Sequence, residues 1–213
     1  MIDFTLNEIC TACGGELFNA DGNAKIKGIT TDSRQAAEDI VFAAVKGEKF
    51  DGFDFAVSAV EKGALCVIGE KYAEGLPLIR VKSTRQALMD TARAIRLKSG
   101  VKVIGITGSV GKTTTKDMIA SVLSQRLDVH KTSGNFNNDI GLPLTVFGIE
   151  EHHNAAVLEM GMNNFGEIHH LCYGAVPDIA VITNIGVSHI ENLGSREGIL
   201  KAKSEIFDYM AKD

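Results

Sequence analysis

The segment Val103-Ile104-Gly105-Ile106-Thr107-Gly108-Ser109-Val110-Gly111-Lys112-Thr113-Thr114 constrains this chain more than any other. The β-branched run Val101–Thr107 predicts a strand, the glycines after it a tight loop, and Lys112–Gln125 a helix. Backbone N–H groups can converge on an anion only where no Cβ blocks the approach, which is the use of glycine in such a loop. The helix start adds the positive end of its dipole. Lys112 is placed to reach the β- and γ-phosphates of a nucleotide, and Thr113 to set its hydroxyl on Mg²⁺. ATP is therefore expected on Thr107, Gly108, Ser109, Val110, Gly111, Lys112, Thr113 and Thr114. The general pattern G-x-x-x-x-G-K-[ST] puts its first glycine where this chain has Ile106, with glycine at Gly105 instead. The variant T-G-[ST]-x-G-K-T fits better.

Around this loop the chain alternates strand and helix. Thr5-Leu6-Asn7-Glu8 reads as a capping box opening a helix that Gly14-Gly15 stops. Strands are expected at Ile40–Val45, Ala64–Ile68 and Leu78–Val81, with a helix at Phe55–Lys62. Thr84–Lys98 is a helix with Leu88, Ala92 and Ile95 on one face. Later strands fall at Ala155–Met160 and Ile179–Ile185, with helices at Gly166–Tyr173 and Ser195–Met210. Apolar strands without polar alternation imply a mostly parallel sheet covered on both faces, so the fold class is α/β. The boundary lies within Val81–Gly100, giving a small first domain, 1–90, and a phosphate-loop domain, 91–213.

With 213 residues and a formal net charge of −5, the chain does not suggest a nucleic-acid partner. No apolar run approaches the roughly 18 residues needed to span a bilayer. Met1-Ile2-Asp3-Phe4 does not begin like a signal peptide, so no membrane association and a cytoplasmic location are expected. Cys10 and Cys13 form a lone CxxC without a second ligand pair, and they fit the apolar stripe Leu6, Ile9, Cys10, Cys13.

Four more blocks follow the loop. They are Ser133-Gly134-Asn135-Phe136-Asn137-Asn138-Asp139-Ile140-Gly141-Leu142-Pro143, Glu159-Met160-Gly161-Met162, Thr183-Asn184-Ile185-Gly186-Val187-Ser188-His189-Ile190-Glu191, and Ser195-Arg196-Glu197-Gly198-Ile199 with Lys203. Glu159 ends an apolar strand, at the sheet edge where open α/β sheets bind ligands. It reads either as a solvated carboxylate or, beside a Gly-Lys-Thr loop, as a Mg²⁺ ligand. His189 follows the next strand and reads as a hydrogen-bonded loop residue or a ligand. Lys203 reads by itself as an exposed helix lysine. Asn135, Asn137 and Asn138 fit turn chemistry before a Gly-Leu-Pro turn. The pairs His152-His153 and His169-His170 read as surface residues.

Together with T-G-S-V-G-K-T-T at 107–114, these blocks in this order resemble the Mur ligases, most of all the branch that adds D-alanyl-D-alanine. The resemblance covers essentially the whole chain and is most specific over 103–207. It implies Mg²⁺ held by Thr113, Glu159, His189 and a carbamylated Lys203, with Lys112, Lys203 and His189 catalytic. It gives Asn135, Asn137 and Asn138 a role in binding the muramoyl-peptide. It also makes the first domain a UDP-binding module, in which Arg34 and Lys46 would meet a pyrophosphate and the Asp32-Ser33 turn uracil or ribose. The family usually has His where this chain has Phe53.

The reaction so implied is ATP-dependent joining of D-alanyl-D-alanine to UDP-MurNAc-tripeptide through an acyl phosphate, in peptidoglycan synthesis. A full ligase of this kind is expected to be about twice as long, as three domains of ordinary size require. On that basis the chain by itself is expected to be inactive and the parent a monomer. A sister amino-acid ligase, or a binding module that holds UDP-sugar or nucleotide without turnover, are the alternatives. Affinity for UDP-MurNAc-peptide without ATP hydrolysis would mark the module.

Overall fold

The computed structural model describes residues 1–210. The chain divides into two compact units, one of Met1–Ile95 and one beginning at Arg96.

The first unit opens with α1 (Leu6–Cys13), whose capping box is present as expected. Glu8 N–H donates to Thr5 Oγ1, and Thr5 N–H donates to Glu8 Oε2 at 2.8 Å. Gly14 ends the helix in the left-handed region at φ 62°, a conformation that glycine adopts without a Cβ penalty. There follow β1 (Glu16–Phe18), β2 (Gly28–Thr30), β3 (Ile40–Ala43), α2 (Ala56–Glu61), β4 (Cys66–Gly69), β5 (Leu78–Arg80) and α3 (Thr84–Ser99), which runs across the division. The sheet order is β1-β5-β4-β3-β2, all parallel except for the antiparallel edge strand β1. β4 is buried at every residue, and Phe42, Val67 and Leu78 form a core with Ala56 and Ala59 of α2. Leu88, Ala92 and Ile95 of α3 are fully buried, as their spacing requires.

The second unit contains β6 (Lys102–Thr107), α4 (Lys112–Leu123), β7 (Val129–Lys131), α5 (Gly141–Phe147), β8 (Ala155–Glu159), α6 (Glu167–Ala175), β9 (Ile179–Ile182), α7 (Ile190–Leu193) and α8 (Arg196–Ser204). Its sheet, β7-β8-β6-β9, is parallel throughout. After β6 the chain builds β7 and β8 on one side, then crosses to place β9 on the other. The loop after β6 therefore stands where the winding changes direction, the place at which such sheets open a crevice at their carboxyl ends.

The structure departs from the sequence pattern at several elements, each for a local reason. Ser195–Met210 is not one helix: α8 stops at Ser204 and a 3₁₀ turn spans Glu205–Phe207. The Glu205 carboxylate accepts from Gly166 N–H at 2.8 Å and His169 N–H at 3.1 Å, so it serves the amino end of α6. The strand expected at Ile179–Ile185 ends at Ile182, because Thr183 and Asn184 bond to the phosphate loop instead. The Gly-Leu-Pro turn is the first turn of α5, where a missing proline N–H costs nothing. Gly52–Phe55 forms a 3₁₀ turn ahead of α2, so the Phe55–Lys62 helix is shorter than its pattern. The three-residue strands β1, β2 and β7 carry too short a pattern to be read from sequence.

Cys10 and Cys13 are half-buried rather than fully buried. Burial, with Cys13 adding to it, pushes the Cys10 thiol up to about 11, away from reactivity.

Candidate nucleotide and metal site

Three parallel strand ends assemble the site. β6 ends at Thr107, β8 at Glu159 and β9 at Ile182, with Ile106 level with Glu159 and Thr107 level with Ile182. Thr107 is buried, and its Oγ1 has no hydrogen-bond partner among the described residues.

The phosphate loop is braced by the segment after β9. The Asn184 side chain pairs with the backbone of Val110 in both directions, Nδ2 donating to the Val110 carbonyl and Oδ1 accepting its N–H, each at 3.2 Å. Thr183 Oγ1 donates to the same carbonyl at 2.7 Å. Ser109 N–H donates to the Asn184 carbonyl at 3.2 Å, and Gly186 N–H donates to Ser109 Oγ at 2.9 Å. Gly108 lies at φ 150°, and a Cβ there would run into Thr183 Oγ1. Gly111, the residue before α4, lies at φ 81°. Two loop glycines are thus required by backbone conformation and one of them also by close approach. Thr183 and Asn184 were not singled out as site residues in the sequence. The available signal was a pair of polar side chains directly after an apolar strand.

Lys112 extends back over the loop, its Nζ donating to the Gly108 carbonyl at 3.0 Å. Thr113 Oγ1 donates to Glu159 Oε2 at 2.9 Å. Glu159 is buried. Its Oε1 accepts from Asn137 Nδ2 at 3.0 Å, and its N–H donates to Thr132 Oγ1 at 2.9 Å. The pair Thr113–Glu159 fits Mg²⁺ on two counts. Both atoms are hard oxygen donors, and adjacent ligands of an octahedral ion bound at 2.0–2.1 Å stand about 2.9 Å apart.

Lys203, which sequence alone assigns to an exposed helix face, is buried. Burial first, and the Lys112 ammonium second, lower its pKa from 10.5 to about 8. The folded chain therefore binds fewer protons here than the unfolded chain between those values, so stability should rise with pH across the window, and below pH 8 the burial penalty is fully in place. The unfolding free energy of the chain from urea titrations in CO₂-free buffer is expected to climb between pH 8 and pH 10, relative to a Lys203→Met variant, by at most roughly 3 kcal/mol. Parallel profiles for the two proteins would show that Lys203 does not titrate in this window.

His189 is exposed, in the left-handed region at φ 64°, as the cap of α7. No group of three or more His, Cys, Asp or Glu side chains capable of holding a metal gathers among the described residues. The oxygens of Thr113 and Glu159 are brought together, but no ready-made cage joins His189 to them. Asn138 Oδ1 accepts from Ile140 N–H at 3.2 Å and Gly141 N–H at 2.8 Å, capping the start of α5. Asn138 also lines a cavity of about 510 Å³ with Asp139, Gly161, Phe165 and His170. Asn135 is exposed in the same loop. Both histidine pairs are tied into local contacts: His153 Nδ1 accepts from Glu150 N–H at 2.9 Å, and His169 is bonded to Asp208 at 2.7 Å and to Tyr209 at 3.0 Å.

In the first unit, Asp32, Ser33 and Arg34 line one open groove of about 750 Å³ with Phe42, Phe50 and Phe55. Arg34 is exposed, and its guanidinium makes a forked bond to Asp32, at 2.7 Å from Nη2. Lys46 lines different hollows, one of them with Asp51, Phe53 and Glu70. The Phe53 ring occupies the space that a side chain at Gly69 would take.

No helix among the described residues is long and apolar enough to cross a membrane. The Mur ligase middle domain matches residues 106–213, and the Mur ligase family catalytic domain matches residues 25–96. The UDP-N-acetylmuramoyl-tripeptide--D-alanyl-D-alanine ligase of Bacillus subtilis (strain 168) is 47% identical over all of this chain, which covers 48% of that protein. That of Escherichia coli (strain K12) is 38% identical over 97% of this chain and 46% of its own length. Among solved structures, MurF from Acinetobacter baumannii superimposes with a TM-score of 0.92 at 37% identity, over 98% of this chain and 47% of that one. MurF ligase from Thermotoga maritima in complex with ADP gives 0.82 at 38% identity, over 87% and 44%. The chain thus spans about half the length of the relatives it matches. With a family model over half its residues, and the braced loop, the buried strand-end carboxylate and the parallel sheet in place, this chain belongs to the Mur ligase family.

Proposed function

We propose that this chain supplies the substrate-holding and phosphate-handling parts of an ATP-dependent ligase that joins D-alanyl-D-alanine to UDP-MurNAc-tripeptide in peptidoglycan synthesis. The observation that carries the reading is the Thr113–Glu159 oxygen pair, 2.9 Å apart, at the start of a helix that follows a braced glycine loop. The relatives named for this reaction match the chain from end to end.

ATP is the phosphoryl donor, and Mg²⁺ would supply positive charge where two anions must meet. Thr113 and Glu159 would hold that ion. Lys112 would leave the Gly108 carbonyl for the terminal phosphates, and the loop N–H groups of Gly111 to Thr114 would line the rest. The tripeptide carboxylate would be oriented by the loop of Asn135 and Asn138, so that its oxygen faces the γ-phosphate. Attack there would break the bond from the γ-phosphorus to ADP and leave an acyl phosphate; the amine of the dipeptide would then take the acyl carbon, expelling inorganic phosphate and losing a proton. Lys203 is suited to carbamylation by CO₂, because near pH 8 about half of its amine is neutral and nucleophilic. The carbamate would add a second anionic ligand near Lys112, with His189 as a further ligand supplied by its loop. Asp32, Ser33, Arg34 and Lys46 would bind the UDP part. In this reading the parent is cytoplasmic and monomeric and binds neither membrane nor nucleic acid.

Calorimetric titration of the chain tests this. Saturable binding of ADP that strengthens with Mg²⁺, together with binding of UDP-MurNAc-tripeptide that weakens in Arg34→Ala, is the expected result. Nucleotide binding with no tripeptide binding by the chain or by a protein of the relatives' full length would overturn the ligase assignment.

A further inference from the structure

Asn137 sits in a run of asparagines that the family resemblance assigns to substrate, but its contacts point inward. Its Nδ2 donates to Glu159 Oε1 at 3.0 Å. Its carbonyl accepts from Gly161 N–H at 2.8 Å, and its own N–H donates to the Asn135 carbonyl at 2.9 Å. At Gly161 a Cβ would stand 3.1 Å from Asn137 Cγ and Oδ1, tighter than ordinary van der Waals contact. The side chain is therefore gripped between the residue two beyond β8 and the carboxylate that ends it. The two carboxylate oxygens are divided as a result. Oε1 takes the Asn137 amide and Oε2 takes the Thr113 hydroxyl.

We propose that Asn137 is a positioning residue for Glu159. It fixes the carboxylate rotamer that turns Oε2 toward Thr113 and the phosphate loop, and it thereby sets affinity for the divalent cation that accompanies nucleotide. The inference rests on reading this site as a Mg²⁺-nucleotide site. The residue type fits the task. A neutral amide donor orients a carboxylate without cancelling its charge, whereas a lysine would neutralise it and an aspartate would repel it. The same contact explains Gly161: a side chain there would push Asn137 off Glu159. It also ties the Ser133–Asp139 loop to the metal carboxylate, so displacement of the loop alters cation binding.

The test is titration of the chain with ADP, in Mg²⁺ and in EDTA, with bound Mn²⁺ counted by electron paramagnetic resonance. Asn137→Leu keeps the volume and removes the donor. Its affinity for ADP in EDTA is expected to match the wild type, while the gain from Mg²⁺ falls about tenfold and Mn²⁺ binding weakens to match. Gly161→Ala, which crowds Asn137 without touching Glu159, is expected to give the same signature more weakly and guards against a folding failure of the first variant. An undiminished Mg²⁺ gain in both variants overturns the proposal. So does a loss confined to tripeptide affinity, which would make Asn137 a substrate contact. A wild-type chain whose ADP affinity ignores Mg²⁺ would overturn the nucleotide-site reading and this inference together.

Discussion

Lys112→Ala is expected to lower the affinity of the chain for Mg²⁺-nucleotide by roughly 30- to 1000-fold, the effect of removing a charge-assisted contact to a phosphate in a partly buried site, about 2–4 kcal/mol. The amine already lies over the loop, 3.0 Å from the Gly108 carbonyl, so little reorganisation separates it from a bound phosphate. A second readout separates loss of a ligand contact from general damage. The Lys112 charge contributes to the depressed pKa of Lys203, second to burial, so the variant should move the Lys203 midpoint upward from about 8 toward its ordinary value. Isotope-edited NMR of labelled lysine follows that midpoint directly. Nucleotide affinity within threefold of wild type, with an unmoved Lys203, would remove Lys112 from the site.

Arg96→Leu is expected to cause a large loss of stability in the second unit. Arg96 is buried in α3, and its guanidinium donates from Nε to the Ala175 carbonyl at 3.1 Å, from Nη2 to the Val176 carbonyl at 3.1 Å, and to Asp178. These groups close the carboxyl end of α6, where Val176 takes the left-handed region at φ 41°, a costly conformation for a β-branched residue. Burial lowers the guanidinium pKa and Asp178 opposes that shift. At Asp178 burial raises the pKa, but the Val103 amide, Lys102 and Arg96 outweigh it, so the carboxyl titrates below its ordinary range. Asp178 keeps its Lys102 and Val103 partners in the variant, so the cost stays below that of orphaning a fully buried ion. About 2–4 kcal/mol is expected, a fall in melting temperature on the order of 10 °C. Arg96→Lys should recover only part of it, since an ammonium cannot fork across two carbonyls and a carboxylate. Equal melting temperatures for wild type and Arg96→Leu would show that the α6 terminus is held by other contacts. Because the Asp178 pKa is depressed, its contribution is present at neutral pH and is lost as pH falls through the acid range.

The loop and the strand-end carboxylate were legible because each has a sequence period or spacing that only one local structure satisfies. An apolar β-branched strand followed by Gly-Lys-Thr can hardly be anything else, and Glu159 closes an apolar run whose register follows from burial. The burial of Lys203 was missed although its spacing signals it. Ile199, Ala202 and Ile206 are buried at i, i+3 and i+7 and put Lys203 at i+4 on the same face, whereas Lys201 falls outside that stripe and is exposed; residue type, not position, suggested an exposed lysine. The contacts of Asn137 and Asn138 could not be read from sequence. Adjacent asparagines advertise a turn or a ligand, and only the fold shows that Asn138 caps α5 and that Asn137 bonds Glu159, a contact across 22 residues. Thr183 and Asn184 were lost for the opposite reason, since they extend an apolar strand on paper and leave it in three dimensions.

The bracing of Gly108 and Val110 by Thr183 and Asn184 has a consequence for how such sequences can vary. The space a side chain would need at 108 is filled by the hydroxyl of residue 183, and the amide at 184 is matched to a main-chain pair rather than to any side chain at 110. Position 108 is therefore held to glycine twice over, by its backbone conformation and by the neighbouring hydroxyl, and residue 183 has no room to grow while the loop keeps this path. Position 110, whose side chain faces outward, is free to drift alone. Two short words separated by some seventy residues thus behave as one inherited unit, and a search for distant members of this fold gains more from pairing them than from either alone.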